Sequence, residues 1–151
     1  MSKANLFVAG QFVLFGVLAI ALVVFPMGQI PIVRVIGLGL IVAAFVLFTL
    51  ALQAFAVHNR TIPNIAPTPK TTAALVESGV YARVRHPIYT SVLLGGIGVA
   101  LVHGHYAVML IALALVVFFT VKSRYEETLL LAAYPKYGEY MTRTGRFLPF
   151  L

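Results

Sequence analysis

The chain has no cysteine and no aspartate, and its only acidic residues are four glutamates among 151 positions. The absence of cysteine excludes disulfide bonds and thiolate chemistry, although it leaves the cellular compartment open. The sequence also lacks a phosphate-binding glycine loop, a dinucleotide fingerprint and the glycine-flanked serine of a nucleophile elbow. Several widespread kinds of catalytic site are therefore excluded.

Charge of either sign is scarce and apolar residues dominate. Hydrophobic residues make up 61% of the chain, charged residues make up 10%, and the mean hydropathy is +0.99. A soluble domain of this length could not bury so much apolar surface, so a lipid bilayer must cover it. The first apolar run is too long for a cleavable signal and lacks a small-residue cleavage site, so we expect it to remain as a membrane span.

Four apolar runs predict an all-α integral membrane fold with four transmembrane helices. Leu6–Phe25 and Ile32–Val57 are each long enough to cross the hydrocarbon core. Ile88–Val102 and Tyr106–Val121 are shorter, and we interpret them as a helical hairpin. We expect one membrane domain over residues 1–151, in which residues 1–60 form the two N-terminal spans.

Two further features of the second half follow from its residue pattern. Small residues four apart predict close helix approach within the hairpin, at the pairs Ser91/Gly95 and Gly96/Ala100. After the last apolar run the chain becomes polar and rich in tyrosine. Tyr125–Met141 is therefore predicted to be a C-terminal amphipathic helix at the membrane interface, interrupted near Pro135.

The few charges are mostly basic, and the formal net charge is +7. No basic face combined with aromatic residues remains outside the apolar runs, so we expect no nucleic-acid partner. With a cytoplasmic N-terminus and four crossings, ten basic residues lie on one side of the membrane and only Arg34 on the other. The ten are Lys3, Arg60, Lys70, Arg83, Arg85, Lys122, Arg124, Lys136, Arg143 and Arg146. This asymmetry predicts cytoplasmic termini, and we expect a bacterial inner membrane.

The segment from Ser78 to Tyr89 concentrates basic and aromatic side chains just before an apolar run. Pro87 is suited to the first position of a helix, whose free N–H groups would lie beside Arg85 and His86. Such an electropositive corner suits a carboxylate or a phosphate. The alternative is a membrane anchor, with arginines on lipid phosphates and tyrosines in the interfacial belt. Tyr89, three residues after His86, favours a site because both share one helical face.

A pair of acidic residues, Glu126 and Glu127, follows the last apolar run, with Lys122 and Arg124 just upstream. The alternative to a site is a solvated helix face, with Lys122 and Glu126 as an i,i+4 pair. Carboxylates at a membrane mouth are costly unless they pair or bind a cation. An ammonium or sulfonium ligand would supply that cation.

His103-x-His105 separates the two runs of the hairpin. Two histidines at this spacing could ligate a metal, but no third ligand lies on that side of the membrane. We interpret them as a polar turn and predict no metal site.

The ordered set of motifs resembles a known family. Ser-Gly-Val-Tyr-x-x-x-Arg-His-Pro-x-Tyr, a helical hairpin, Glu-Glu-x-x-Leu, tyrosines and Arg-Phe-Leu-Pro are similar to the core of the isoprenylcysteine carboxyl methyltransferases and phospholipid methyltransferases. The resemblance covers roughly Pro67–Leu151. It implies an integral membrane methyltransferase that uses S-adenosylmethionine without a Rossmann sheet or a metal, with residues 61–151 as the cofactor-binding core.

The resemblance also implies roles for individual residues. Glu126 would face the cationic part of the cofactor, with Glu127 as the other candidate, and Lys122 would lie near the acceptor. Glu126, Lys122 and Arg85 are the predicted catalytic residues. The remaining predicted cofactor contacts form two sets. The polar set is Tyr81, Arg85, His86 and Tyr89, and the apolar wall is Leu93, Leu94, Val99 and Leu101. The acceptor would be a lipophilic or membrane-embedded molecule with a carboxylate or amine head group.

Two other functions stay open at this point. A membrane reductase of the sterol-reductase type shares this kind of C-terminal core and would bind a nicotinamide cofactor instead. A non-enzymatic four-helix membrane protein is the second alternative. A transporter would need an ionisable residue at mid-span, and none of the four runs carries one. The sequence does not indicate an oligomeric state.

Overall fold

The computed structural model describes residues 2–28, 30–66 and 74–149, and this part of the chain is helical apart from turns and one isolated bridge. The all-α prediction is thus confirmed. The helices are α1 (Lys3–Val24), α2 (Pro31–Asn59), α3 (Pro87–His103), α4 (Tyr106–Ala133) and α5 (Tyr137–Arg143), with a 3₁₀ turn at Gly79–Ala82.

Three of the described helices, α1, α2 and α4, are long and apolar enough to cross a membrane. Large apolar side chains on α1 and α2 face outwards, among them Val13, Ile20, Val42 and Phe45. This is the surface of an integral membrane protein. The third helix, α3, has 17 residues, and at about 1.5 Å per residue it spans about 26 Å, less than the hydrocarbon core. A fourth crossing by α3 stays a prediction.

The prediction that an interfacial helix, Tyr125–Met141, starts at Tyr125 is wrong. α4 continues without a break from Tyr106 to Ala133, so Tyr125 lies in its interior. The onset of polar residues does not end the helix, because no proline or glycine lies between Val121 and Ala133. The interruption near Pro135 is confirmed, and only Tyr137–Arg143 forms a separate helix. Residues 122 and 126 therefore stand one turn apart on one rigid helix.

The closest helix crossing joins α2 to α3 at two glycines. A Cβ built on Gly37 would lie 2.6 Å from the carbonyl oxygen of Gly98, and one on Gly98 would lie 2.8 Å from the oxygen of Gly37. The predicted small-residue contacts within the hairpin are only partly observed, since Gly96 faces Leu115 of α4 whereas Gly95 faces Ala44 of α2. Sequence spacing finds small residues but does not say which helix each one faces.

The two histidines of His103-x-His105 lie where the α3–α4 turn meets the turn between α1 and α2. His103 Nε2 lies 3.2 Å from the carbonyl oxygen of Phe25, and the N–H of Gly28 donates to the His103 carbonyl at 2.8 Å. The His105 ring stacks on Phe25 and its Nδ1 accepts from the N–H of Ala107. These contacts join the two turns at one end of the bundle.

At the opposite end, the C-terminal tail folds back beside the start of α3. The N–H of Arg85 donates to Gly145 at 2.8 Å, and the N–H of His86 donates to Arg146 at 3.1 Å. The Thr90 hydroxyl donates to the Phe147 carbonyl at 2.9 Å. The tail thereby fixes the backbone of the Arg-His-Pro segment.

Candidate active site

A cavity of about 460 Å³ opens at the end of the bundle where this tail lies. Its size falls within the range of about 300–1,000 Å³ typical of small-molecule sites. One part of its wall is polar and consists of Gln11, Asn64, Tyr81, Arg85, His86, Tyr89, Lys122, Glu126, Tyr134, Tyr137 and Tyr140. The apolar part includes Phe15, Phe48, Leu52, Phe55, Val92, Phe119 and Leu130.

The Arg-His-Pro-x-Tyr segment begins α3 as predicted. Pro87 is the first helical residue and His86 precedes it as the N-cap. Because His86 and Tyr89 are three residues apart on one face, their rings stack, with centroids 5.3 Å apart and planes 1° from parallel. The segment thus presents a flat aromatic surface to the cavity.

Glu126 supplies the negative charge of the cavity. Its Oε2 is buried and has no hydrogen-bond partner among the described residues. The nearest basic atom to this oxygen is His86 Nδ1, at 3.7 Å. The Tyr89 side chain also hydrogen-bonds with this carboxylate. A neutral hydroxyl and one long contact to a histidine compensate a carboxylate only in part, so this arrangement suits a ligand that carries a positive charge.

Glu127, the next residue, has a different environment. Its carboxylate accepts from Arg85 Nε at 3.0 Å and from Arg146 Nη2 at 2.6 Å, and His86 Nε2 lies 3.4 Å away. It does not contribute to the cavity wall. The structure therefore places Glu126 in the cavity and Glu127 in an ion-pair network that joins α4 to the tail.

Arg85 belongs to the same network while also lining the cavity. Besides Glu127, its guanidinium donates to the carbonyl of Met141 at 3.1 Å and to the carbonyl of Thr144. Its Nε is thus used on α4, and its Nη1 is used on α5 and the tail. Its assignment to a ligand carboxylate stays a prediction.

Lys122 lies in the cavity wall and is only 1% exposed. Its ammonium donates to the side-chain oxygen of Gln11 and to the carbonyl of Ile65 at 3.1 Å. It also lies over the Tyr89 ring, 5.0 Å from the centroid. The Lys122 ammonium is thus surrounded by three separate parts of the chain. These are α1 (Gln11), the segment that follows α2 (Ile65), and α3 (Tyr89).

Several tyrosines close the polar side of the cavity. The Tyr140 hydroxyl donates to the Tyr81 carbonyl at 2.7 Å, which fixes α5 against the 3₁₀ turn. The buried Tyr137 hydroxyl lacks a hydrogen-bond partner among the described residues. Burial raises the pKa of Tyr81, Tyr137 and Tyr140 above the usual range, so these side chains are neutral and Tyr137 has a proton to donate.

The predicted apolar wall is not where the sequence analysis put it. Leu93 packs into the core against Leu115 and Phe119, and Leu93, Leu94, Val99 and Leu101 are all absent from the lining of the described cavity. The cavity lies at the first turns of α3, where Ile88, Tyr89 and Val92 face it. Leu94, Val99 and Leu101 are further along the helix or on other faces, so α1 and α2 provide the apolar surface instead.

Sequence reasoning missed the contributions of α1 and α2. The role of Gln11 could have been suspected from the sequence, because Gln11 is the single polar side chain in the run Leu6–Phe25. A polar residue in an otherwise apolar membrane helix marks a contact to another polar group. Phe48, Leu52 and Phe55 carry no such mark, since they resemble any lipid-facing residue.

Comparison with known families agrees with this geometry. A sequence profile of the phospholipid methyltransferase family matches residues 32–137. The chain belongs to this family. The matched region runs from the start of α2 to the first residue of α5 and contains His86, Tyr89, Lys122 and Glu126. Family membership confirms the resemblance recognised in the motifs.

A curated relative shares part of the chain. It is the cobalt-zinc-cadmium resistance protein CzcN of Cupriavidus metallidurans, which is 38% identical over 78 residues. The matching region is 51% of this chain and 36% of the relative. The chain therefore spans about a third of the length of that protein.

Proposed function

We propose that this methyltransferase uses S-adenosylmethionine and methylates a lipophilic acceptor at the membrane surface. The observation that carries the proposal is the buried, unpartnered oxygen of Glu126 in a cavity lined by the stacked His86 and Tyr89 rings. S-adenosylmethionine would supply an electrophilic methyl group on a cationic sulfur. The donor set fits such a ligand, since it combines a carboxylate that has one unpartnered oxygen with aromatic faces and neutral hydroxyls.

The residues of this chain would act by binding, aligning and excluding water. Glu126 holds the cationic part of the ligand, and the His86–Tyr89 stack packs against its flat part. Tyr137 has a free hydroxyl to donate. Methyl displacement needs alignment of donor and acceptor and little covalent assistance. A pre-formed cavity with fixed charges provides that alignment.

The apolar side of the cavity suits the lipophilic part of an acceptor. Phe15 of α1 and Phe48 and Phe55 of α2 line it, and the outer faces of both helices are apolar. An acceptor could therefore keep its chain among these residues while its head group reaches Lys122. We propose a carboxylate or amine head group as the methylated position.

We further propose four crossings with the cavity on the cytoplasmic side of a bacterial inner membrane. Arg34 lies at the α1–α2 turn, where it donates to the Gly28 carbonyl. The basic residues assigned to the cytoplasmic side belong to the other end of the bundle, and of these Lys70 lies outside the described residues. The positive-inside rule favours this orientation.

Calorimetry on the purified chain in detergent tests the cofactor. S-adenosylmethionine and its demethylated product should bind, and NADPH should not. Glu126→Gln should abolish or strongly weaken S-adenosylmethionine binding, because it removes the charge that faces the cation. Glu139→Gln is the matched control, since Glu139 is exposed on α5. Equal affinity of both variants and the wild type would reject the site. Labelled methyl donor with lipid extracts would then identify the acceptor.

A further inference from the structure

Lys122 is a buried cation with an unusual set of partners. Its ammonium is held by two neutral oxygens, those of the Gln11 amide and the Ile65 carbonyl, and by the ring faces of Tyr89 and Phe119. Among the described residues, no carboxylate lies within ion-pair distance of it. Neutral acceptors hold the ammonium in place without cancelling its charge.

Two opposite charges thus line one cavity from one helix. Lys122 and Glu126 are four residues apart on α4, and both belong to the cavity wall. Glu126 has an unpartnered oxygen, and Lys122 has three donors, of which two have hydrogen-bond partners. A cationic methyl donor could pair with Glu126 while an anionic acceptor, bound beside it, pairs with Lys122.

Gln11 is the part of α1 that reaches this charge. Phe7 and Phe15, one turn to either side, pack on Phe118 and Phe119 of α4 with ring centroids 5.9 and 6.2 Å apart. These contacts direct the face of α1 that carries Gln11 towards α4 and the cavity. Gln11 also lies outside residues 32–137, the region that matches the family profile.

We propose that Gln11 is a positioning residue that fixes the Lys122 ammonium and thereby selects an acceptor with an anionic head group, a carboxylate or a phosphate. This inference rests on the proposed methyl transfer. The neutral amide matters because a carboxylate at position 11 would hold the lysine equally well but would also neutralise its charge. The first helix, which lies outside the region that matches the family profile, would then set acceptor choice.

The experiment measures head-group preference with lipids of one chain length. Oleate, oleyl phosphate, oleylamine and oleyl alcohol compete with a fluorescent fatty acid for the purified chain in detergent, in the presence of the demethylated cofactor product. Wild-type protein should bind an anionic probe about tenfold more tightly than oleylamine, the size expected of one uncompensated charge. The ratio between oleate and oleyl phosphate tells which anionic head group fits.

Variants at position 11 separate positioning from mere folding. Gln11→Glu should abolish or reverse the preference for anionic probes, and Gln11→Leu should reduce it. Gln53→Leu makes the same change at an exposed position of α2 and should alter nothing. Lys122→Met and the double variant Gln11→Leu/Lys122→Met should lose the preference equally, because Gln11 acts through Lys122.

The outcomes distinguish this inference from the proposed function. Wild-type protein that binds S-adenosylmethionine but shows no anionic preference would overturn the role of Gln11 alone. A lower melting temperature of Gln11→Leu with an unchanged preference would also overturn it, since Gln11 would then only stabilise the fold. Failure of the wild type to bind S-adenosylmethionine would overturn the proposed cofactor, and with it the reason for an acceptor site.

Discussion

Glu126 and Glu127 are adjacent in sequence, yet one carboxylate has an unpartnered oxygen in a cavity and the other is held by two arginines. Adjacent residues on a helix point about 100° apart, so Glu126 faces the cavity while Glu127 faces the tail. The two neighbouring side chains therefore have different roles. Glu126 is available to a ligand, and Glu127 fixes the segments that form the wall.

Replacing the two glutamates should have different effects on stability and binding. Glu127→Gln removes the charge that compensates Arg85 and Arg146, and breaking a buried ion pair from one side costs about 3–5 kcal/mol. We expect a clearly lower melting temperature in detergent. Glu126→Gln loses only the 3.7 Å contact of its charge with His86 and should leave the melting temperature nearly unchanged.

Binding measurements complete this comparison. At a temperature where Glu127→Gln is still folded, it should retain more affinity for S-adenosylmethionine than Glu126→Gln does. The reverse order would show that Glu127 is the ligand-binding carboxylate. Arg146→Lys is a milder control, because it keeps the charge but loses the two-pronged contact.

The α2–α3 crossing should tolerate nothing larger than glycine. In Gly37→Ala the new methyl group would overlap the Gly98 carbonyl, and such overpacking costs on the order of 1–3 kcal/mol. Gly39→Ala is the control two residues away, because nothing lies within 4 Å of a Cβ at that position. Thermal unfolding in detergent should therefore show a loss for position 37 only. Equal melting temperatures would mean that α2 and α3 separate easily.

Sequence alone was sufficient for the parts of this protein that depend on local pattern. Hydropathy identified the membrane class, Pro87 identified the start of α3, and the Arg-His-Pro-x-Tyr and Glu-Glu motifs identified residues that the structure brings together. These inferences succeed because helix starts and i,i+3 stacking are decided within a few residues. The start of the predicted interfacial helix at Tyr125 was wrong for a different reason. The sequence shows no helix breaker after Val121, but the prediction gave more weight to the change from apolar to polar residues.

Tertiary packing decided what the sequence left open. Whether Glu126 or Glu127 faces the cavity depends on the rotation of α4 against its neighbours, which no motif encodes. The residues predicted as an apolar wall on α3 do not line the described cavity, because the cavity meets only the first turns of that helix. Gln11 meets Lys122 across 111 residues, and one sequence without an alignment holds no pairwise information of that kind.

Two tyrosines of α5 should respond differently to loss of the hydroxyl. Tyr140→Phe removes the bond to the Tyr81 carbonyl and leaves that acceptor unpaired, which costs about 1–3 kcal/mol. Tyr137→Phe removes a hydroxyl that has no partner among the described residues, so the melting temperature should not fall. Its affinity for S-adenosylmethionine should fall several-fold if the hydroxyl donates to the ligand. Unchanged affinity of Tyr137→Phe would remove this residue from the site.

The buried tyrosines also predict how the protein responds to alkali. Burial raises the pKa of Tyr81, Tyr137 and Tyr140, whereas in the unfolded chain each ionises near pH 10. Above about pH 10 the unfolded state therefore binds fewer protons than the folded state, and stability falls as the pH rises.

Absorbance of tyrosinate during a pH titration in detergent measures this effect. Tyr81, Tyr137 and Tyr140 should ionise only together with loss of helical signal. Replacing all three residues by phenylalanine should reduce the part of the absorbance change that coincides with unfolding. If instead every tyrosine titrates in one step while the helices remain intact, these side chains are in contact with water and the cavity wall is not closed on its α5 side.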